Sequence, residues 1–270
     1  MRAVTGYMSP QRYGGIDKNL GPQYLRGICE RNPRVPDKLI HLVYSNNKED
    51  IWISHLPAQT DLKPERVIRE RFNGDVYPEH WNIYSPAWSP IRMTGESLRL
   101  LDFDPCDRAL IERNVAPAED GKMCLIFCTK TVSQRGEICI SLHDEAQGAP
   151  VEMYINFRHE LRVRSAGRDE EWLEIPFGKK VTLNLTCDCL KSRFTLECEG
   201  KKGSFAMNTA CTRIERISIA TKSLRCIPYN DIYSNGKYGS NEDDLPSSGE
   251  KTDETMLDVY AFDCETVSAP

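Results

Sequence analysis

The chain is 270 residues long, 40% hydrophobic and 28% charged, with a net charge of −5 and a pI near 5.7. This length holds one large β domain or two smaller ones around a sizeable core, and the acidic balance, with Lys and Arg scattered among Asp and Glu, excludes the basic footprint of a nucleic-acid partner. No apolar run is long enough for a membrane span and the opening MRAVTGYMSPQRYGG lacks an apolar signal-peptide core, so the chain as written reads as cytoplasmic and without a membrane partner.

Residues 12–28, RYGGIDKNLGPQYLRGI, pack four glycines, a proline, two tyrosines and four charged residues into seventeen positions without helical or strand periodicity, and read as a functional loop. KLIHLVY (38–44) and EDIWISHL (49–56) follow as a hairpin across SNNK. PAQTDLKPER (57–66) carries two prolines and reads as a linker, which places a domain boundary near residue 60.

Strands are then expected at RVIRERF (66–72), WNIYS (81–85), SLRLLD (97–102), RALIERNV (108–115), KMCLIFCTKT (122–131) and GEICISLHD (136–144). More are expected at VEMYINF (151–157), ELRVRSA (160–166), KKVTLNLTC (179–187), RFTLECE (193–199), RIERISIAT (213–221) and MLDVYAFD (256–263). In GEICISLHD, Ile138, Ile140 and Leu142 point one way and Cys139, Ser141 and His143 the other. Tight hairpin turns fall near residues 158 and 200. Such spacing predicts an all-β antiparallel sandwich over residues 61–270, interrupted at 228–254 by a long polar loop. That loop is either a solvated insertion or, through Tyr229, Tyr233 and Tyr238, a ligand-facing segment suited to carbohydrate stacking.

Of the eleven cysteines, Cys124, Cys128, Cys139, Cys187, Cys189, Cys198 and Cys264 lie in strand-like runs, where cysteine behaves as a small buried hydrophobe. Their spacings lack the paired pattern of a zinc site, so no structural metal is assigned to them. Asp102 and Asp104 could contribute to a calcium site, but calcium takes about six or more oxygens, so the pair is read as solvated strand-end carboxylates. The histidines, His41, His55, His143 and His159 among them, read as packed or surface residues.

No nucleophile elbow, phosphate loop, dinucleotide fingerprint or metalloprotease helix occurs, so no catalytic residue is assigned. Trp81, Tyr84 and Trp88 in WNIYSPAWSP form the densest aromatic cluster, suited either to stacking on a sugar or to filling a seam between two β domains. Arg12, Tyr13, Lys18, Asn19, Gln23, Tyr24 and Arg26 would suit an anionic sugar, or simply solvate a loop.

SPQRYGGIDKNLGPQYLRGI, YSNNKEDIWISHLP and WNIYSPAWSPIRM resemble the C-terminal portion of bacterial sialidase-like (BNR-type) β-propeller proteins acting on carbohydrate. The resemblance implies that residues 1–60 are the remnant of a propeller's last blade, followed by a concanavalin- or laminin-G-like sandwich (jelly roll), with Arg12, Tyr13, Lys18, Tyr24 and Arg26 facing substrate. The Asp-box of that family is absent and the chain is too short for a propeller, which closes by pairing its last blade with its first. The expectation is therefore a truncated carbohydrate-active enzyme, hydrolase or uronide lyase, inactive as this chain and missing an upstream portion. A carbohydrate-binding module and a structural buttress are the alternatives, with a glycan or anionic sugar as the partner of the first.

Overall fold

A computed structural model describes residues 22–29, 39–46, 50–57, 63–78, 80–85, 88–104, 108–131, 136–146, 148–221 and 251–267, all strands, turns and connections without a helix among them. Arg12, Tyr13, Lys18, Tyr229, Tyr233 and Tyr238 lie outside the described residues.

The first sheet joins β1 (Pro22–Cys29), β2 (Leu39–Asn46) and β3 (Asp50–Pro57) in that order. β2 and β3 are the expected hairpin, tied by Tyr44 Oη and Ser54 Oγ 3.1 Å apart. β1 is a correction, because half of the segment read as a loop is a strand. Its register shifts between Gln23 and Arg26, where Tyr24 takes a φ of 54°. A bulge of this kind interrupts the alternation by which a strand is recognised, and Pro22 is tolerated because β1 lies at an edge.

Two larger antiparallel sheets follow. The seven-stranded sheet runs β13 (Arg168–Glu174), β12 (Glu160–Ser165), β11 (Val151–Asn156), β10 (Glu137–Asp144), β17 (Ile214–Ala220), β8 (Leu110–Ala118) and β5 (Trp81–Tyr84). The eight-stranded sheet runs β16 (Lys201–Ala206), β15 (Arg193–Cys198), β14 (Lys180–Asp188), β9 (Asp120–Thr131), β18 (Thr255–Val267), β7 (Leu98–Asp102) and β6 (Ile91–Met93). β18 is long enough to pair along one side with β7 over its first half and with β4 (Val67–Arg71) over its second.

Alternate side chains of both sheets meet in one core. Ile111, Ile138, Ile140, Met153, Leu161 and Ile219 come from one face, and Leu98, Leu100, Leu125, Phe127, Leu183 and Leu257 from the other. The expected sandwich is therefore observed, and it follows from the period-two alternation. Hairpin turns use the residues this chirality demands: Ala166 and Gly167 between β12 and β13, and Glu199 and Gly200 between β15 and β16, all have positive φ.

Trp81 belongs to this core. Its ring meets Phe72 and Phe262 edge-on at 5.7 and 5.3 Å, and Arg113 lies over it at 5.8 Å. Arg113 is itself buried, with its two arms on Glu70 and Glu65 at 2.6 Å each. At the sandwich edge Trp172 of β13 packs against Phe205 of β16 at 5.8 Å, so one sheet's margin closes over the other's.

Asp102 and Asp104 are buried rather than solvated. Asp102 Oδ1 accepts from Ser89 Oγ at 2.9 Å and from the Asp104 amide at 2.8 Å, while Oδ2 accepts from Thr221 Oγ1 at 2.9 Å. The carboxylate thereby ties β7 of one sheet to the residue after β17 of the other. The chain beyond Asp102 turns inward, and the buried donors it meets replace the water that an exposed strand end would have.

Candidate functional site

The outward side chains of the seven-stranded sheet form a continuous polar row. Asn82, Glu112, Ser218, Ser141, Glu152, Arg164 and Asp169 are successive cross-strand partners from β5 to β13. A second row beside it runs Tyr84, Leu110, Ala220, Cys139, Tyr154, Arg162 and Glu171, with small or apolar groups at its centre. On the other flank, Asn114, Arg216 and His143 are partners. Each strand contributes because a period of two sends every second side chain to this face.

A solvent-facing sheet surface should be wet, but the middle of this one is not. Ser141 is 5% exposed, Ser218 8%, Cys139 7% and Tyr154 5%. The face is thus a sheltered polar trough, and its groups are arranged by bonds among themselves. Asn82 Nδ2 donates to Glu112 at 3.2 Å, and Arg216 lies 3.7 Å from Glu112. His143 Nε2 and Ser218 Oγ are 2.8 Å apart. Tyr154 Oη donates to Glu152 at 2.8 Å, Arg164 reaches Glu152 at 3.3 Å and Asp169 at 2.8 Å, and its guanidinium lies over the Tyr154 ring at 5.0 Å.

Three nitrogens on this face are buried and have no hydrogen-bond partner among the described residues: His143 Nδ1, Arg216 Nε and Arg162 Nε. A buried polar atom left unpaired costs about 1–3 kcal/mol, so an oxygen-bearing group brought to it would gain most. Burial, reinforced by Arg216, holds the His143 imidazole below its ordinary pKa, partly offset by Glu112, Glu152 and Asp144. At neutral pH it is an uncharged ring with one nitrogen on Ser218 and the other buried without a partner among the described residues. Burial pushes the Cys139 thiol up to about 11, and burial with the Glu152 hydrogen bond raises Tyr154, so both stay protonated.

The residues expected to bind sugar are dispersed. Tyr24 and Arg26 are exposed on β1, in the three-stranded sheet. Trp81 is 4% exposed and presents no ring face to a ligand, because the core occupies both. Trp88 is half-buried, its carbonyl accepting the Phe103 amide at 2.9 Å. Tyr233 lies outside the described residues, though the flanking strands end at Ala220 and resume at Thr255, beside Asp102. Among the described residues no three His, Cys, Asp or Glu side chains come together as a metal site.

The fold defines an antiparallel β-sandwich with polar rows across the outward face of one sheet. The family model "Sialidase-like, CBM domain" matches residues 81–235, more than half of the chain, and the chain belongs to that family. A sialidase structure superposes with a TM-score of 0.82 at 27% identity, covering 96% of this chain and 24% of its own. The chain thus spans about a quarter of that sialidase's length. A Crh5 transglycosylase without ligand shares the fold at a TM-score of 0.54 and 11% identity, over 75% of this chain and 85% of its own. No curated protein matches the chain.

Proposed function

We propose that this chain is a carbohydrate-binding sandwich working beside a sialidase-like catalytic unit, and that it holds its sugar in the trough of the seven-stranded sheet. Membership of a family described as a CBM supplies the class of ligand. The buried, unpaired nitrogens of His143 and Arg216, register partners on this face, carry the assignment of the place. Hydroxyl oxygens of a sugar ring would accept from Arg216 Nε and meet His143 Nδ1, which belong to adjacent register partners.

The trough selects against anions. Its outward strand charges are Glu112, Glu137, Glu152, Glu160, Asp169, Glu171 and Glu174 against Arg162, Arg164 and Arg216, an acidic excess that suits a neutral sugar. The anionic-sugar reading attaches instead to Arg12, Tyr13, Lys18, Tyr24 and Arg26, and to a propeller whose last blade we take β1–β3 to be. The superposition on the sialidase supports that view by covering nearly the whole chain, including this sheet. Glycoside hydrolysis or uronide elimination by the larger assembly would draw on groups outside the sandwich.

Titration calorimetry against a panel of neutral and acidic oligosaccharides tests the proposal. Neutral glycan binding without turnover is expected, with Arg216→Ala weakening it about tenfold or more, a loss near 1.4 kcal/mol, and Trp81→Phe leaving it unchanged. Binding unaffected by both Arg216→Ala and His143→Ala would remove the trough from consideration.

A further inference from the structure

Toward the end of the sandwich where β8 turns into β9, the inward side chains shrink. Across β14, β9 and β18 the row Leu183, Leu125 and Phe262 is followed by Leu185, Met123 and Cys264, and that by Cys187, Gly121 and Thr266. The facing sheet ends on Leu142 beside Ile217 and on Ala118 beside Ile214. Packed sheets lie about 10 Å apart, a gap that cysteine, glycine and alanine do not span. A cavity of about 30 Å³ is left between them.

The wall of this cavity is hydrocarbon and sulfur. Leu142, Leu185, Ile217, Phe262, Cys187 and Cys264 line it and are all buried. Burial pushes the Cys264 thiol up to about 11 and raises Cys187 as well, so neither carries charge. Two further lining residues spend their polar groups elsewhere. Cys189 N donates to Glu119 O at 2.9 Å and Cys189 O accepts from Ser192 N at 3.0 Å, while Thr266 Oγ1 and its amide both donate to Arg66 O. A buried water needs about two to four polar partners. This wall offers it none, so an apolar occupant is favoured.

We propose that the cavity is a binding site for a short aliphatic group, the methyl, ethyl or isopropyl end of a small ligand whose uncharged polar remainder stays at the rim. One water takes about 10–15 Å³ of such space, so the cavity admits about two or three heavy atoms. The rim sets the character of the remainder. Asp120 and Lys122, both exposed, flank Gly121 there, and a hydroxyl can donate to the first and accept from the second. Their cross-strand partners Asp188 and Glu265 are paired with Lys191 and Arg69, so the two rim charges cancel and favour no ion.

Gly121 keeps the mouth open without being demanded by close packing. A Cβ built there would meet nothing nearer than Glu265 O at 3.4 Å, so the position accepts a side chain that would fill the space. The cavity is lined by inward residues, whereas the sugar proposal concerns outward rows. The two therefore stand or fall separately.

The test is a methyl-detected NMR titration of the 270-residue chain with xenon under pressure and, separately, with isopropanol. Saturable shifts at the methyl groups of Met123, Leu142, Leu185 and Ile217 are expected with both probes. Gly121→Val should abolish them, and Ala118→Val replaces it if that variant does not fold. No saturable shift with xenon, shifts that persist in the filled variant, or xenon binding without isopropanol binding would each overturn the proposal.

Discussion

At the residue scale, buried polar groups decide where this protein is vulnerable. Arg113 is 4% exposed and holds two carboxylates that are themselves more open. Removing both carboxylates strands a charge inside, whereas removing the arginine leaves only partly solvated acids. Glu65→Ala with Glu70→Ala is therefore expected to cost about 3–5 kcal/mol, more than Arg113→Met, by urea denaturation. His143 makes the pH dependence legible. Its folded pKa lies below its unfolded value of 6.5, so its contribution is full above that pH and is lost as pH falls toward the folded value. His159 shifts the same way through burial. Between pH 7 and pH 5 the urea midpoint should fall in the wild type and fall less in His143→Gln/His159→Gln; equal slopes would count against buried neutral imidazoles.

At the element scale, the strands expected from the sequence are present, and those missed share a position. β1, β6, β13 and β16 are all edge strands. An edge strand pairs on one side only and is kept short, charged or bulged, so it lacks the apolar alternation that betrays an inner strand. RDEEWLE and KKGSFA illustrate this. Gly203 in β16 shows that an edge is still packed: a Cβ there would lie 2.7 Å from the Phe205 ring and 2.8 Å from Trp172 Nε1. Gly203→Ala is accordingly expected to destabilise by about 1–3 kcal/mol, measured as a drop in melting temperature. No drop would mean that the two margins are not in contact in solution.

At the scale of the whole molecule, both large sheets draw on one core, and Phe262 at its centre touches Trp81 across the interface. Phe262→Ala should cost about 3–5 kcal/mol and lower the near-ultraviolet and far-ultraviolet circular dichroism midpoints together. Separate shifts would indicate that the sheets unfold independently. The trough is likewise a property of the assembled sheet, since its row of seven side chains is gathered from seven strands whose order is not their order in the chain.

What the sequence determined alone was local and periodic. Short apolar runs bounded by turn residues, several of them alternating, marked a hairpin and the twelve strands of an antiparallel sandwich, because a period of two is imposed by backbone geometry before any partner is chosen. Alternation even separated Cys139, Ser141 and His143 from the apolar face of β10. Tertiary structure decided the rest. It sank Trp81 into the core and turned Asp102 inward, and it brought His143 to Arg216. Each of these depends on which strands become neighbours, a non-local choice that no single segment encodes.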